Sequence, residues 1–418
     1  MRILVHDYSG HPFQMQLSRA LAARHEVLHV HCASYQTGKG AVTLRTDDPC
    51  GLRIDAIDLG RAFDRYSSFR RLRQEVAYGM AFSRRAAAYR PDVILSSNDP
   101  LFAKSVAAGW CRLTSTPWVF WLQDVYSLAM STHAKQKLGV AGRPIGAGFR
   151  VLERQLLRRA TAVVAITDDF KHPLRRWGID SDKCHVVENW APLAEIDTRP
   201  KDNDWSRSRG LHDRRVLLYS GTLGLKHHPG LLVALAERFR SEPDVRVVVV
   251  SQGRGIAWLQ QELDTRRLDN LVLLPYQPYE RLSEVLGSAD VLLVVLQDDA
   301  GVFSVPSKVL SNLCAGRPIL AAMPGANLGA RTIERAGAGI VVPANDEESL
   351  VAAADKLLSD PELRDRHGRL GREYAEATFD IDTIAARFEE ILATSARTSR
   401  CRPPAGRARP SIRRRGSP

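Results

Sequence analysis

Residues 305–323, VPSKVLSNLCAGRPILAAM, read as a short helix running into a buried strand. Pro306 and Ser307 close a loop, and Ser307 is a good capping residue, so a helix is expected from Lys308. Gly316 stands where a helix end calls for a left-handed residue, and Pro318 forbids continuation. Residues 319–323 are then an apolar run of strand length. The first turn of such a helix carries free N–H groups and here a lysine, which makes it a candidate phosphate site. An ordinary αβ unit in a sheet would carry the same pattern.

Working outward, the same alternation recurs. Residues 215–220, RVLLYS, form a strand that feeds Gly221, Thr222, Gly224 and Lys226. Two glycines and a lysine between a strand and a helix suit a phosphate cradle, because small residues permit approach and the ammonium neutralises charge. The strand at 245–250 leads into Gly253, and strand-like runs follow at 271–274, 291–296 and 339–342. Helices are expected at 229–240, 346–358, 364–377 and 382–392, and in the first half at 148–159.

The first half repeats the theme with strands at 3–6, 26–32, 52–59, 91–96, 117–122, 162–166 and 185–188. Strand, loop, helix and strand within about 30 residues is a βαβ unit and argues a parallel sheet. Gly10 lies in the first βα turn, where it would let a ligand approach the backbone. Asp124 follows the strand 117–122, so its carboxylate faces the crevice where open α/β sheets bind ligands. Its other possible role is to cap the next segment. Residues 69–89 read as a basic amphipathic helix, with Arg70, Arg71, Arg73, Arg84 and Arg85 opposite Leu72, Val76, Met80 and Phe82. It would suit an anionic membrane surface or simply a solvated face. His6, His11, His29 and His31 cluster in sequence without carboxylates at matching spacing, and core or surface roles fit them better than a metal site. Two Asp-x-Asp triplets, Asp180/Asp182 and Asp380/Asp382, fit a helix–strand loop and a helix start better than a metal-nucleotide site.

The chain turns polar over 195–213, which is where a boundary between two domains is expected. Its 418 residues are enough for two or three domains. Net charge is +12, but eight arginines and no acid follow Thr394, so the remainder carries about +4. That Pro-, Gly-, Ser- and Arg-rich tail lacks the means to form a core and is expected to be disordered. The six cysteines show no CxxC spacing, which fits reduced thiols in a cytoplasmic protein. No leader-like apolar segment opens the chain, and no apolar run is long enough to span a bilayer.

Several strings in order carry a family likeness: MRILVHDY, PDVILSSNDP, FWLQDVYS, AVVAITDDF, KCHVVENWAP, VLLYSGTLGLK, NLVLLPYQPYERLSEVLGSADVLLVVL and VPSKVLSNLCAGRPILA, with AGAGIVVPANDEESL behind. Over residues 1–393 the chain resembles the GT-B glycosyltransferases of family 4, the retaining sugar transferases of bacterial surface polysaccharide assembly. It is most similar to the colanic acid, O-antigen and exopolysaccharide group. The resemblance implies an α/β fold of two Rossmann-like doubly wound domains with a cleft between them. Residues 1–195 would hold the acceptor, 214–378 the nucleotide-sugar donor, 379–393 a helix crossing back, and 394–418 the basic tail. It implies donor-phosphate contacts from Gly10, Gly221, Thr222, Gly224, Gly253, Pro306 and Ser311 and from the backbone N–H groups of Ser307, Lys308 and Val309. Asp124 and Lys226 would be the catalytic pair, with Lys226 stabilising the leaving diphosphate. No cofactor or metal is expected. The partners would be a nucleotide-diphosphate sugar, a polyprenyl-linked or oligosaccharide acceptor and an anionic membrane surface, with no specific nucleic acid.

The chain departs from this family at three points. Two glutamates eight positions apart are usual, and their places fall on Phe303 and Ser311. Asp298 and Asp299 are near enough to stand in for the first. The usual arginine beside the glycine loop falls near Thr222. These departures keep two other readings open: a non-catalytic GT-B subunit partnering another transferase, and a UDP-sugar 2-epimerase.

Overall fold

The computed structural model describes residues 1–34, 42–60, 68–97, 99–224, 227–298 and 306–400. The first sheet contains β1 (Arg2–Asp7), β2 (Glu26–Cys32), β3 (Leu52–Ile57), β4 (Val93–Ser97), β5 (Trp118–Leu122), β6 (Ala162–Ala165) and β7 (Cys184–Val186). The second contains β8 (Arg215–Ser220), β9 (Val245–Val250), β10 (Leu271–Leu274), β11 (Val291–Val295), β12 (Ile319–Ala322) and β13 (Gly339–Val342). Every pairing is parallel. The orders are β3-β2-β1-β4-β5-β6-β7 and β10-β9-β8-β11-β12-β13. Each strand lies within two residues of a run expected from the sequence. The reason is burial: parallel strands covered on both faces read as short, almost wholly apolar stretches.

Both sheets start at a central strand, build outward to one side, then return and build to the other. The reversal falls between β1 and β4 in the first and between β8 and β11 in the second. Ligands of doubly wound sheets bind at that point, beyond the carboxyl ends of the strands. Gly10 follows β1 and Gly221 follows β8, so both candidate glycine turns sit at a reversal.

The segment 195–213 is ordered and packed. Asn203 caps a short helix, Asp204–Arg207, through reciprocal bonds with Ser206. Trp205 is fully buried, and its Nε1 donates to Gln277 Oε1 at 3.0 Å. The last helix, Ile381–Arg400, returns to the first sheet. Phe388 packs 4.7 Å from the Trp121 ring, and Glu389 accepts from Arg24 (2.6 Å) and His25 (2.9 Å). The helix continues past residue 393, so 394–400 is helical where a disordered tail was expected; 401–418 lies outside the described residues.

Three further expectations change. Besides Asp204–Arg207, the helices Tyr126–Leu138 and Leu328–Ala336 are present though absent from the sequence reading. The helix expected near 148 begins at Arg143, with Pro144 in its first turn. The basic helix is Ser68–Tyr89, but its buried stripe is Glu75, Tyr78, Phe82, Ala86 and Tyr89, whereas Met80 faces solvent. Its apolar stripe is already covered, chiefly by the helix Leu101–Thr114. Arg71 binds Glu75 and Arg85 binds Asp55. Phe69 and Met80 on the same helix remain exposed.

Candidate donor and acceptor sites

The second-sheet cluster forms where β8 runs out. Gly221 has φ +132, a conformation that side-chain-bearing residues rarely adopt. A Cβ there would lie 3.2 Å from Lys308 Cε, so the lysine arches over the turn. Lys308 comes from the first turn of the helix Ser307–Cys314. Its ammonium sits 3.8 Å from the centre of the Tyr219 ring and donates to the Tyr219 hydroxyl. That hydroxyl in turn donates to the Thr222 carbonyl at 2.8 Å. Burial pushes the Tyr219 phenol well above its ordinary pKa, so it stays neutral and accepts the lysine's proton donor without exchanging charge. Thr222 Oγ1 meets Tyr276 OH at 2.5 Å, and His227 Nδ1 accepts from the Gly224 N–H at 3.0 Å. Gly253, φ +113, brings the next turn against Leu223; a Cβ there would stand 3.3 Å from the Leu223 carbonyl.

The helix itself corrects one detail. It begins at Ser307, its N-cap is Pro306, and no side chain caps it. Ser307 is therefore the first helical residue, exposed, and the opening N–H groups have no capping side chain over them. Val309 N bonds back to the Pro306 carbonyl at 3.0 Å. Gly316 has φ +65 as expected, and its carbonyl would lie 2.3 Å from a Cβ on Gly368, so the helix Pro361–Thr378 braces the far end. Ser311 is half-buried one turn into the helix. Lys226, Asp299 and Phe303 lie outside the described residues. Asp298 is exposed and accepts from Asn345 Nδ2 at 2.7 Å.

The first-sheet cluster is held differently. Asp7 ends β1 fully buried and its two oxygens accept the Ser9 N–H (3.1 Å) and the His11 N–H (2.5 Å). Those bonds fold the turn around Gly10, φ +72. Burial pushes the Asp7 carboxyl up to about 7, against the pull of the His11, Gly10 and Ser9 N–H groups. Burial lowers His11 to about 4, while the charge of Asp124 acts to raise it. His11 is therefore neutral near pH 7, and Asp124 stands near enough to act on it. Asp124 itself is exposed at the end of β5. Beside it, the Asn189 amide donates to Gln123 Oε1 at 2.5 Å, and Gln14 donates to Ser97 Oγ at 2.9 Å.

Behind this turn is a network that the sequence reading missed. His6 Nδ1 lies 3.0 Å from Asp99, and His6 Nε2 lies 3.0 Å from the Tyr78 hydroxyl. Lys104, 1% exposed, reaches Asp99 at 3.5 Å and lies 3.7 Å from the Phe120 ring centre. Burial raises Asp99, but His6 and Lys104 outweigh it and hold the carboxyl below its usual range. His29 bonds to Ser18 at 2.8 Å, so His6 and His29 serve the interior. Asp180 and Asp380 cap turns, accepting from Asp182 N and Thr383 N. Among the described residues no group of three or more His, Cys, Asp or Glu is placed to hold a metal ion.

The structure thus gathers Gly221, Thr222, Lys308 and Tyr219 at one sheet and Gly10, His11 and Asp124 at the other. Ion pairs link the two sides. Arg331 binds Asp169 through both guanidinium nitrogens, one at 3.2 Å, and Arg335 reaches Glu188 at 3.4 Å. Arg45 and Tyr279 share Glu195 at 2.7 and 2.9 Å.

Comparison with known proteins agrees with this geometry. The model described as "Glycosyl transferase 4-like domain" matches residues 11–190, and that described as "Glycosyl transferases group 1" matches 201–374. The chain belongs to the GT-B glycosyltransferases of family 4. A relative in Escherichia coli (strain K12), WcaI, named as a glycosyl transferase of colanic acid biosynthesis, is 28% identical over 72% of this chain and 73% of its own. Alpha-D-kanosaminyltransferase of Streptomyces kanamyceticus is 25% identical over 57% of this chain and 63% of its own. Among solved structures, Anabaena HepE in complex with UDP-glucose superposes with a TM-score of 0.70 at 17% identity, over 94% of this chain and all of that one. This glycosyltransferase therefore has the two-sheet GT-B fold, with its last helix returning to the first sheet. The fold also extends to a Listeria monocytogenes protein described as a "putative UDP-N-acetylglucosamine 2-epimerase", TM-score 0.60 at 15% identity over 96% of this chain and 98% of that one, so fold alone does not separate these readings.

Proposed function

We propose that this enzyme is a retaining transferase that moves a sugar from a nucleoside-diphosphate donor to a lipid-linked or saccharide acceptor during cell-surface polysaccharide biosynthesis. Residues 1–195 would form the acceptor domain and 214–378 the donor domain, with the work done at the cytoplasmic face of the membrane. The observation that carries this reading is the β8 turn. A glycine in the left-handed region, a helix start without a side-chain cap and a lysine arched over both converge at the strand-order reversal. A diphosphate fits all three: backbone N–H groups to receive oxygens, no side chain to block them, and a cation to balance them.

In the proposed reaction the bond between the sugar C1 and the diphosphate oxygen breaks, and the oxygen leaves with the electron pair. The acceptor hydroxyl attacks C1 from the same face, and its proton passes to the leaving phosphate. Lys226 and Lys308 stabilise the charge that develops on that phosphate. Asp124, at the end of β5, contacts the transferred sugar, and Gly10 leaves room for the diphosphate. No metal is required by this arrangement, a point checked by activity in excess chelator.

The test is a panel of UDP-, GDP- and TDP-sugars, followed for transfer and for slow hydrolysis, with the product anomer read by NMR. Absence of both transfer and hydrolysis with every donor would overturn the reading. A thermal-shift screen with nucleoside diphosphates comes first, since a ligand at 100 times its Kd adds about 2.7 kcal/mol. A subunit without activity is favoured by one observation, the serine at 311 where the family's ribose-binding acid falls. Calorimetry separates the two, because such a subunit should bind no nucleoside diphosphate.

A further inference from the structure

The helix Tyr126–Leu138 starts two residues after Asp124 and is followed by a 3-10 turn, Gly139–Gly142, and the returning helix Arg143–Arg159. The two arms meet through backbone and small side chains. A Cβ on Gly142 would lie 2.1 Å from the Ala134 carbonyl, and one on Gly146 would lie 2.6 Å from Ser131 Oγ. At the base, Glu153 accepts from the N–H groups of Tyr126 and Ser127, both at 3.0 Å. Because glycine contacts and this carboxylate close the hairpin, the large side chains at its tip are not consumed in holding it together.

Those side chains face solvent. Leu138 is 48% exposed, Val140 72%, Ile145 44%, and Val151 on the returning arm 55%. They account for four of the ten large exposed hydrophobic residues among the described part of the chain. The charge around them has one sign. Residues 126–159 contain a single acid, Glu153, which is 1% exposed and occupied at the hairpin base. Lys135, Arg143, Arg150, Arg154, Arg158 and Arg159 are all exposed. An apolar tip flanked in the chain by Lys135, Arg143 and Arg150, with no exposed acid within residues 126–159, suits a bilayer that carries anionic headgroups.

We infer that this hairpin is the membrane-docking surface, seating Leu138, Val140 and Ile145 at the acyl boundary of an anionic bilayer while the basic side chains take lipid phosphates. It rests on the proposed function in one respect. The hairpin springs from the end of β5, so docking would bring a lipid-linked acceptor to Asp124. The helix Ser68–Tyr89 exposes two large apolar residues, Phe69 and Met80, against four in the hairpin.

The test uses the full chain and sedimentation with vesicles of phosphatidylcholine alone or with about 30% phosphatidylglycerol. Binding is expected only to the anionic vesicles and should weaken about tenfold or more in Leu138→Ser/Val140→Ser/Ile145→Ser. Arg143→Glu/Arg150→Glu should lose the preference for anionic lipid, and about 0.5 M salt should reduce wild-type binding. All these sites are exposed, so an unchanged melting temperature confirms that the variants fold. If the triple-serine variant binds like wild type, binding resides elsewhere, with the arginine-rich tail the first suspect, and the inference falls. It falls equally if light scattering shows that the same variant dissolves a dimer, since the tip would then be a self-interface. Vesicle binding with no sugar transfer from any donor would sink the transferase reading and leave the docking surface standing.

Discussion

At β1 the turn after the strand hangs on a carboxylate; at β8 the equivalent turn lies under a cation. The two sheets share strand order and the same reversal, so topology alone would make the turns alike. Asp7 holds its turn from below, buried, through two backbone N–H groups. Lys308 holds its turn from above, half-buried, braced on the neutral Tyr219 ring. The difference is one of charge. Beneath the Gly10 turn a buried acid takes up the backbone N–H groups of Ser9 and His11. A cation over the Gly221 turn makes the other end receptive to phosphate. Each prediction below breaks or sharpens that contrast.

The largest effect is expected at the cation. Lys308→Met should lower nucleoside-diphosphate affinity and kcat/KM by about 100-fold, the scale of a lost charge-assisted contact to phosphate. Calorimetry with the diphosphate and with the free nucleoside reads it, and only the diphosphate should lose affinity. Lys308→Arg should recover part of the loss. Equal loss for both ligands would mean that Lys308 supports the turn's structure rather than its charge.

Asp7→Asn probes the opposite turn through pH. The folded-state pKa of Asp7 is raised to about 7 from 3.8, so between those values the native state holds a proton that the unfolded chain has lost. Stability from this group is thus full below about pH 4 and falls as pH rises through 7, by up to about 4 kcal/mol. Asparagine carries no titrating proton. Urea midpoints at pH 5 and pH 8 should differ less in the variant than in wild type. At pH 5 the variant should lose about 1–3 kcal/mol, because its amide nitrogen now faces an N–H donor. An identical pH slope in both proteins would remove Asp7 as the buried charge.

This contrast was only partly legible in the chain. The strands were readable because runs such as VLLVV and RVVVV are buried on both faces and leave little alternative. Gly10, Gly221 and Gly316 were readable because turns at strand ends and helix stops favour glycine. The cap at Ser307 was misread by one residue, since Pro306 meets the backbone requirement without a side-chain bond. The helix Tyr126–Leu138 was missed because several of its inward residues are small, Ser127, Ser131 and Ala134, leaving no clear one-sided apolar repeat. Leu328–Ala336 is only nine residues between loops, too short for periodicity to decide. The pairings Asp7–His11 and Lys308–Tyr219 join types common everywhere, and only the fold brings the second pair together across 89 residues.

A smaller effect is expected at Ser311. If the half-buried serine marks a lost ribose contact, Ser311→Glu should tighten nucleoside-diphosphate binding several-fold, the worth of one hydrogen bond to a carboxylate. The thermal shift with and without ligand reads it. Weaker binding would show that the pocket near the helix is shaped around serine, and would put the ribose elsewhere.

The smallest effect is expected where the two sides meet. Arg331 and Asp169 form a two-pronged ion pair, and Thr167 donates to the same carboxylate at 2.8 Å. Burial raises Asp169, but Arg331 and Thr167 outweigh it and hold the carboxyl below its usual range. Its contribution is therefore present above about pH 4 and is lost as pH falls through the lowered value. The side chains are 43% and 24% exposed, so solvent screens the attraction and a double-mutant cycle of Arg331→Ala with Asp169→Ala should give at most about 1 kcal/mol. The informative comparison is the same cycle with nucleoside diphosphate bound. Arg331 lies on the helix that follows β12, and Asp169 just beyond β6, so the pair spans the two sheets. If it tightens as the crevice fills, the coupling should rise with ligand; a coupling equal in both states would make the pair a static strut and leave donor binding independent of the first sheet.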